Sequence, residues 1–284
     1  MRIWRAAGAA VVLVTLVAGT GCGAVRERQL MNKANQLFAA KKYDQAIPVY
    51  QSILQKDPND WGANYYLAMS WMAQFHPAST HPMDAEFKKQ AVTSLEKLMT
   101  LKPPSPEDMA KVENYYLSLL TSANDNDKAI AFLERKLQKK PNDNEVMAQL
   151  AQLQAKAGNF DESLKWYTKI AELDPKTKTN WYTVAVLCWE RSNKAGMSIS
   201  PDERTKIIGD GIQFIDKALA LDPEYTEAIA YKNLLYREKA DALHQAGKDQ
   251  EAQEAFAESQ RLRDQAIQLM QKKKAQAAAA PAAS

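Results

Sequence analysis

Few side chains in this 284-residue sequence are of the kinds that carry chemistry, and their spacing sets narrow limits. There are two cysteines, Cys22 and Cys188, and three histidines, His76, His81 and His244. His76 and His81 share the stretch FHPASTHPMDAE (75–86) with Asp84. A metal centre needs a further strong ligand beside two histidines, so the stretch reads as a solvated loop and no metal is expected. His244 falls near a helix end, where structural or solvent-facing roles dominate. Cys188 lies in WYTVAVLCWE at an apolar helical position with no nucleophile or ligand motif around it, as a buried small hydrophobe would. The sequence has no H-E-x-x-H, G-x-S-x-G, G-x-x-x-x-G-K or C-x-x-C. Gly209-Asp210-Gly211 lies inside a helical stretch, not between a strand and a helix. No catalytic residue and no cofactor is expected.

Composition points the same way. Apolar residues make up 46% and charged residues 25%, the balance of a folded soluble domain, while ten Gly and twelve Pro are too few for a β-sandwich of this length. The 37 Lys and Arg include Arg2 and Arg5, which would leave with a leader, and they face 34 Asp and Glu. Without a basic run inside the folded part, nucleic acid is not the expected partner. Lys272-Lys273-Lys274 reads as a solvated cluster near the tail.

Residues 1–21, MRIWRAAGAAVVLVTLVAGTG, have a positive start, an apolar run over 6–17 and small residues before Cys22, the layout of a secretory signal peptide. Ala18-Gly19-Thr20-Gly21-Cys22 also resembles the lipobox of bacterial lipoproteins, departing from it at Gly19, where Leu is commonest. That resemblance implies lipidation of Cys22, a tether over 22–26 and, because Gly23 is not Asp, an outer-membrane lipoprotein facing the periplasm. The alternatives are an uncleaved inner-membrane anchor, since no charge appears between Arg5 and Arg26, and a plain signal peptide without lipidation.

The elements that must display any binding groups are set by a repeated phrase. KKYDQAIPVYQSILQKDP (41–58) returns as GNFDESLKWYTKIAELDP (158–175). A small residue, a bulky apolar residue four later and a Pro eight after that recur as Ala46/Tyr50/Pro58, Ala91/Leu95/Pro103, Ala129/Leu133/Pro141, Ser163/Tyr167/Pro175 and Gly211/Ile215/Pro223. Small residues let helices cross closely, and Pro, lacking an N–H, ends the second helix of each pair. First helices recur too, most clearly as Trp181-x-x-Val184-Ala185-x-x-Cys188, and Pro141 to Pro175 spans 34 residues. Inserts stretch the second pair at 75–86 and the fifth at 191–204, the latter ending in a Ser200-Pro201-x-Glu203 capping box. A last helix from Lys248 to about Lys274 places Ala252, Phe256, Ser259, Leu262, Ala266 and Met270 on one face and reads as a cap.

This pattern resembles the tetratricopeptide repeat (TPR), a 34-residue helix–turn–helix unit. The resemblance implies an all-α, right-handed α-solenoid of about six TPR-like helix pairs over 27–274 with a C-terminal capping helix; AQAAAAPAAS (275–284) is of low complexity and reads as a disordered Ala/Pro-rich tail. It also implies that first helices line a groove that binds peptides or partner helices. Carried onto this sequence, that groove takes Tyr65, Met69 and Met72 from the second pair, Tyr182, Val186 and Trp189 from the fifth, and Leu234 and Arg237 from the sixth. The third pair contributes only polar Asn114, Ser118 and Thr121. Met31 stands where a carboxylate-clamping Lys would be, so that specificity is not carried over. The expected function is a non-catalytic scaffold for other envelope proteins, held at the membrane by lipid on Cys22. A narrower version is an assembly factor for outer-membrane proteins, secretion channels or pili; the rival is an enzyme subunit acting on cell-wall substrates.

Overall fold

The computed structural model describes residues 20–195 and 198–279, and the described residues form twelve α-helices with no strand. The helices are α1 (Thr20–Ala39), α2 (Tyr43–Leu54), α3 (Trp61–Gln74), α4 (Pro82–Thr100), α5 (Pro106–Ser122), α6 (Asn126–Lys139), α7 (Asn144–Lys156), α8 (Phe160–Leu173), α9 (Lys178–Ala195), α10 (Pro201–Leu221), α11 (Thr226–Gln245) and α12 (Asp249–Ala279). They divide into two compact units, α1–α5 and α6–α12, with the division between Asp125 and Asn126. Within each unit every helix packs on its neighbours in sequence, and first helices also touch, α1 on α3 and α9 on α11. This is the expected all-α, solenoid-type stacking of hairpins.

The repeated phrase occupies equivalent places. Ala46, Ala91, Ala129 and Ser163 have no exposed surface, and Gly211 is buried with them. Gly211 shows why the position must be small. A Cβ added there would lie 2.9 Å from Cys188 Cβ and 2.9 Å from Leu235 Cδ2, so α9 and α11 leave no room on this side of α10. Tyr50, Leu95, Leu133 and Ile215 fill the space four residues on, all fully buried. Each marker Pro follows the end of its helix by a few residues.

The hairpin turns repeat as well. Lys41, Asn124, Gly158 and Gly247 follow the first helices of four pairs, all at positive φ (58°, 54°, 84° and 71°). At each, the next N–H reaches back to the helix: Lys42 to Leu37 O (2.9 Å), Asp125 to Leu120 O (2.8 Å), Asn159 to Gln154 O (2.8 Å) and Lys248 to Leu243 O (2.9 Å). This six-to-one bond with a left-handed residue is the Schellman termination. The two remaining pairs carry the inserts instead. Their second helices open on a side-chain cap followed by Pro: His81 accepts from the Met83 N–H and Ser200 from the Glu203 N–H. Ser105 caps α5 in the same way, accepting from the Asp108 N–H, with Pro106 next.

The termini differ in part from the sequence reading. Residues 1–19 of the signal peptide and 280–284 of the tail lie outside the described residues. α1 already includes the segment 22–26 read as a tether. α12 runs to Ala279, five residues into the segment read as disordered, because Ala and Gln are strong helix formers and extend a helix without tertiary support. Among the described residues no helix is long and apolar enough to cross a membrane. α12 also corrects one assignment: Ala252, Ser259, Leu262 and Ala266 are buried against α11, but Phe256 and Met270 are each 52% exposed.

Candidate functional site

The first helices carry two aromatic patches, one in each unit. In the first unit Trp61 and Tyr65 stack on α3 (centroids 5.2 Å apart, 14° between planes), Tyr66 meets Tyr65 edge-on at 5.3 Å, and Tyr115 of α5 approaches Tyr65 at 6.5 Å. Burial, then a hydrogen bond between the Tyr65 and Tyr115 hydroxyls, pushes the Tyr65 pKa up to about 12. Tyr66 turns inward to Phe38 and Tyr50. The Tyr50 hydroxyl donates to Asn35 Oδ1 at 2.8 Å, so Asn35 is spent on the hairpin core.

In the second unit Tyr231 of α11 meets two rings of α9 edge-on, Tyr182 at 5.4 Å and Trp189 at 5.5 Å, while Tyr182 also packs on Tyr225 at 5.2 Å. The Lys178 ammonium lies 4.5 Å from the centre of the Tyr225 ring and pairs with Asp222. Burial pushes the Tyr182 phenol up to about 12, with Tyr231 and Tyr225 adding to the shift. Such rings keep one surface packed and leave another available, the condition for an apolar docking face.

Of the groove residues named from the sequence, Tyr65, Met69 and Met72 lie half-buried in the first unit. Tyr182, Val186, Trp189 and Leu234 lie half-buried in the second, where Arg237 is exposed. Trp61, Tyr115, Tyr225 and Tyr231 were missed. The third pair looked polar because Asn114 and Ser118 were set on its face, but α5 turns Tyr115 toward Tyr65 and leaves Asn114 and Ser118 exposed.

The histidine loop between α3 and α4 is a capping structure. Asp84 is 7% exposed and accepts from the His76 N–H at 3.1 Å. A hydrogen bond from Ser79, then the contacts with His76, hold its carboxyl below the usual range. His81 Nδ1 accepts from the Met83 N–H at 3.2 Å, which occupies a lone pair a metal would need. Among the described residues no group of three or more His, Cys, Asp and Glu is placed to hold a metal. Cys188 is 1% exposed, and burial pushes its thiol up to about 12, so it is a core group and a poor nucleophile.

One buried polar cluster gave no signal in the sequence. Arg204 of α10 is 6% exposed and pairs with Glu238 of α11. It also donates to Ser192 Oγ of α9 at 3.3 Å and Gln245 Oε1 at 3.5 Å. It ties three helices together beside the insert of the fifth pair. Nearby, Arg191 joins Asp161 of α8 to Glu203 of α10.

Paired helices with crossing small residues and Schellman turns define an α-hairpin repeat protein. Two segments, residues 31–74 and 120–185, match tetratricopeptide-repeat family models, and TPR units are thus present in the chain. Solved structures with similar chains include YrrB, a TPR protein with an unusual peptide-binding site (19% identity, 74% of this chain and 96% of that one, TM-score 0.40). Others are a TPR repeats protein from Bacteroides fragilis (15%, 74% and 97%, 0.48) and the C-terminal part of a TPR repeat-containing protein from Cytophaga hutchinsonii (12%, 86% and 80%, 0.48). No curated protein matches the chain.

Proposed function

We propose that this protein is a non-catalytic scaffold of the bacterial cell envelope that binds apolar peptide segments or helices of other envelope proteins through its first helices. The observation that carries the reading is the pair of half-buried aromatic patches, Tyr65 with Tyr115 and Tyr182 with Trp189 and Tyr231. Aromatic side chains supply large contact area at small entropic cost, and they dominate the energy of protein interfaces. Residues 1–22 support a lipidated Cys22 as the membrane tether, with the outer membrane as its destination. Service in assembling outer-membrane proteins, secretion channels or pili is a narrower form of the same proposal.

The test is site-specific photocrosslinking in intact cells with the probe at position 65 or 189. The expected result is one or a few envelope proteins captured from both positions and lost when Tyr182 and Tyr231 are changed to Ser in the chain probed at 189. Capture of nothing above an exposed control site, or only of cytoplasmic proteins, overturns the reading. For the tether, Cys22→Ser is expected to abolish lipid labelling and release the protein from the outer-membrane fraction; unchanged fractionation would favour an uncleaved anchor.

A further inference from the structure

α1 is the first helix of the array, so one of its faces has no hairpin to cover it. Leu30, Met31, Ala34, Leu37 and Phe38 pack into the core that α1 shares with α2 and α3. At about 3.6 residues per turn, Val25, Gln29, Asn32, Gln36 and Ala39 fall on the opposite side, and all five are exposed. This outward strip is neutral, and its edges are basic. Arg26 and Lys33 flank it on one side and Arg28 on the other, and the turn after the helix adds Lys41 and Lys42. All five cations are exposed, and among the described residues the ion pairs of the first unit leave them out, joining His76, Lys88, Lys89 and Lys111 to carboxylates. The one acid of α1 within the core-packed half, Glu27, stands seven residues before Ala34 and so lies on the core side, away from the strip.

The imbalance is local. Of the 37 basic residues, Arg2 and Arg5 belong to the leader and five to residues 20–54, leaving 30 for 55–284. Only two of the 34 acids, Glu27 and Asp44, lie in 20–54, leaving 32. The same helix carries the proposed tether. α1 runs unbroken from Thr20 to Ala39, so Cys22 stands one turn before Arg26 and little more than two before the packed Leu30. With acyl chains on Cys22 in a bilayer, helix alone joins the headgroups to the first hairpin. The helix can stand on the surface or lie along it. Standing leaves the cations in water; lying sets the neutral strip on the headgroups and the cations among lipid phosphates. Each Lys or Arg near an anionic surface strengthens binding by about fivefold, so Arg26, Arg28 and Lys33 together favour lying by about a hundredfold.

We propose that the outer face of α1 lies flat on an anionic phospholipid surface, with Arg26, Arg28 and Lys33 on lipid phosphates. The proposal rests on the reading of Cys22 as lipidated, which brings this face to a bilayer and not to an acidic protein. α3 packs on α1 about one helix diameter away (~10 Å), so the aromatic patch of Tyr65 is held beside the membrane.

Fluorescence quenching in full-length protein, purified from membranes and reconstituted in vesicles, tests the orientation. The fluorophore is attached at Gln36→Cys on the outward strip; Cys188 is buried and stays unlabelled. Position 36 is 14 residues from Cys22, about 21 Å along the helix, so a standing helix keeps it clear of the headgroups. Nitroxide-labelled headgroups are expected to quench it in vesicles of mixed phosphatidylethanolamine and phosphatidylglycerol. The quenching is expected to fall by more than half in phosphatidylcholine vesicles, and equally when Arg26, Arg28 and Lys33 are all changed to Gln, which removes the whole hundredfold preference of about fivefold per cation. No quenching in the mixed vesicles, or equal quenching in both compositions and in the triple variant, overturns the proposal. So does a photocrosslinker at 36 that captures a protein in place of phospholipid in intact cells. Lipidation is read separately, from the mass of the N-terminal peptide. If that peptide carries no lipid, the reading of the tether fails, and the same quenching comparison on a Cys22→Ser background still decides for or against the face.

Discussion

Gly209 and Gly211 stand two residues apart in the middle of α10, and replacing each by Ala should move stability in opposite directions. Either change removes a helix-interior glycine, which by propensity alone stabilises by about 1 kcal/mol. At Gly209 a new Cβ meets nothing within 4 Å, so that gain is expected in full. At Gly211 the same Cβ arrives 2.9 Å from Cys188 Cβ and 2.9 Å from Leu235 Cδ2. The Leu235 methyl can rotate away, but a Cβ is fixed to its backbone, so α9 must move relative to α10. Overpacking of this kind costs about 1–3 kcal/mol. Because the propensity gain is common to both variants, the difference between them isolates the packing cost. Gly211→Ala is expected to be less stable than Gly209→Ala by about 1–3 kcal/mol, with Gly209→Ala above the unchanged protein. Urea denaturation followed by helix circular dichroism reads the difference, which at this size corresponds to roughly 2–4 °C in Tm per kcal/mol. Equal stability of the two variants would refute the close crossing of α9, α10 and α11 at this residue.

Three further perturbations test the packing. Ser163 Oγ is fully buried without a hydrogen-bond partner, at the position where three other pairs have Ala, so Ser163→Ala should raise stability by about 1 kcal/mol or more in the same denaturation assay. Lys41 holds a left-handed conformation that Gly158 and Gly247 take without a Cβ, so Lys41→Gly should stabilise by about 1 kcal/mol while Gly158→Ala destabilises by a similar amount, read as shifts of the urea midpoint. Glu238→Gln leaves the Arg204 guanidinium buried without its counter-charge and should cost about 3–5 kcal/mol, whereas Glu238→Met with Arg204→Met should recover most of the loss in a double-mutant comparison.

The hairpin pattern was legible because its signals act locally. A small residue, a bulky one and a Pro at fixed spacing specify a crossing, a filler and a stop within one helix, and they recur whatever lies between. The capping box at Ser200 was legible for the same reason: its hydrogen bond to the Glu203 N–H spans three residues. Arg204, one residue further on, was not. Its partners Ser192, Glu238 and Gln245 lie up to 41 residues away, and nothing in the local sequence distinguishes it from a solvated arginine.

The aromatic patches fall between these cases. Tyr65, Tyr182 and Trp189 were found because they sit in first helices that match the repeat pattern closely. Tyr115 was lost because it falls one residue off the repeated face. α5 starts three residues after Pro103, as α3 starts three after Pro58, but Tyr115 lies about two and a half turns into its helix, whereas Tyr65 lies just over one turn into α3. Counting from the preceding Pro sets Asn114 at the place of Met69 and passes over Tyr115 beside it. What orients Tyr115 is its packing with Tyr65, a contact made only once α3 and α5 lie side by side. A binding face built from several hairpins is thus a property of their stacking. Each repeat encodes its own crossing in its own residues, but which aromatic rings come together is decided by how one first helix packs beside the next.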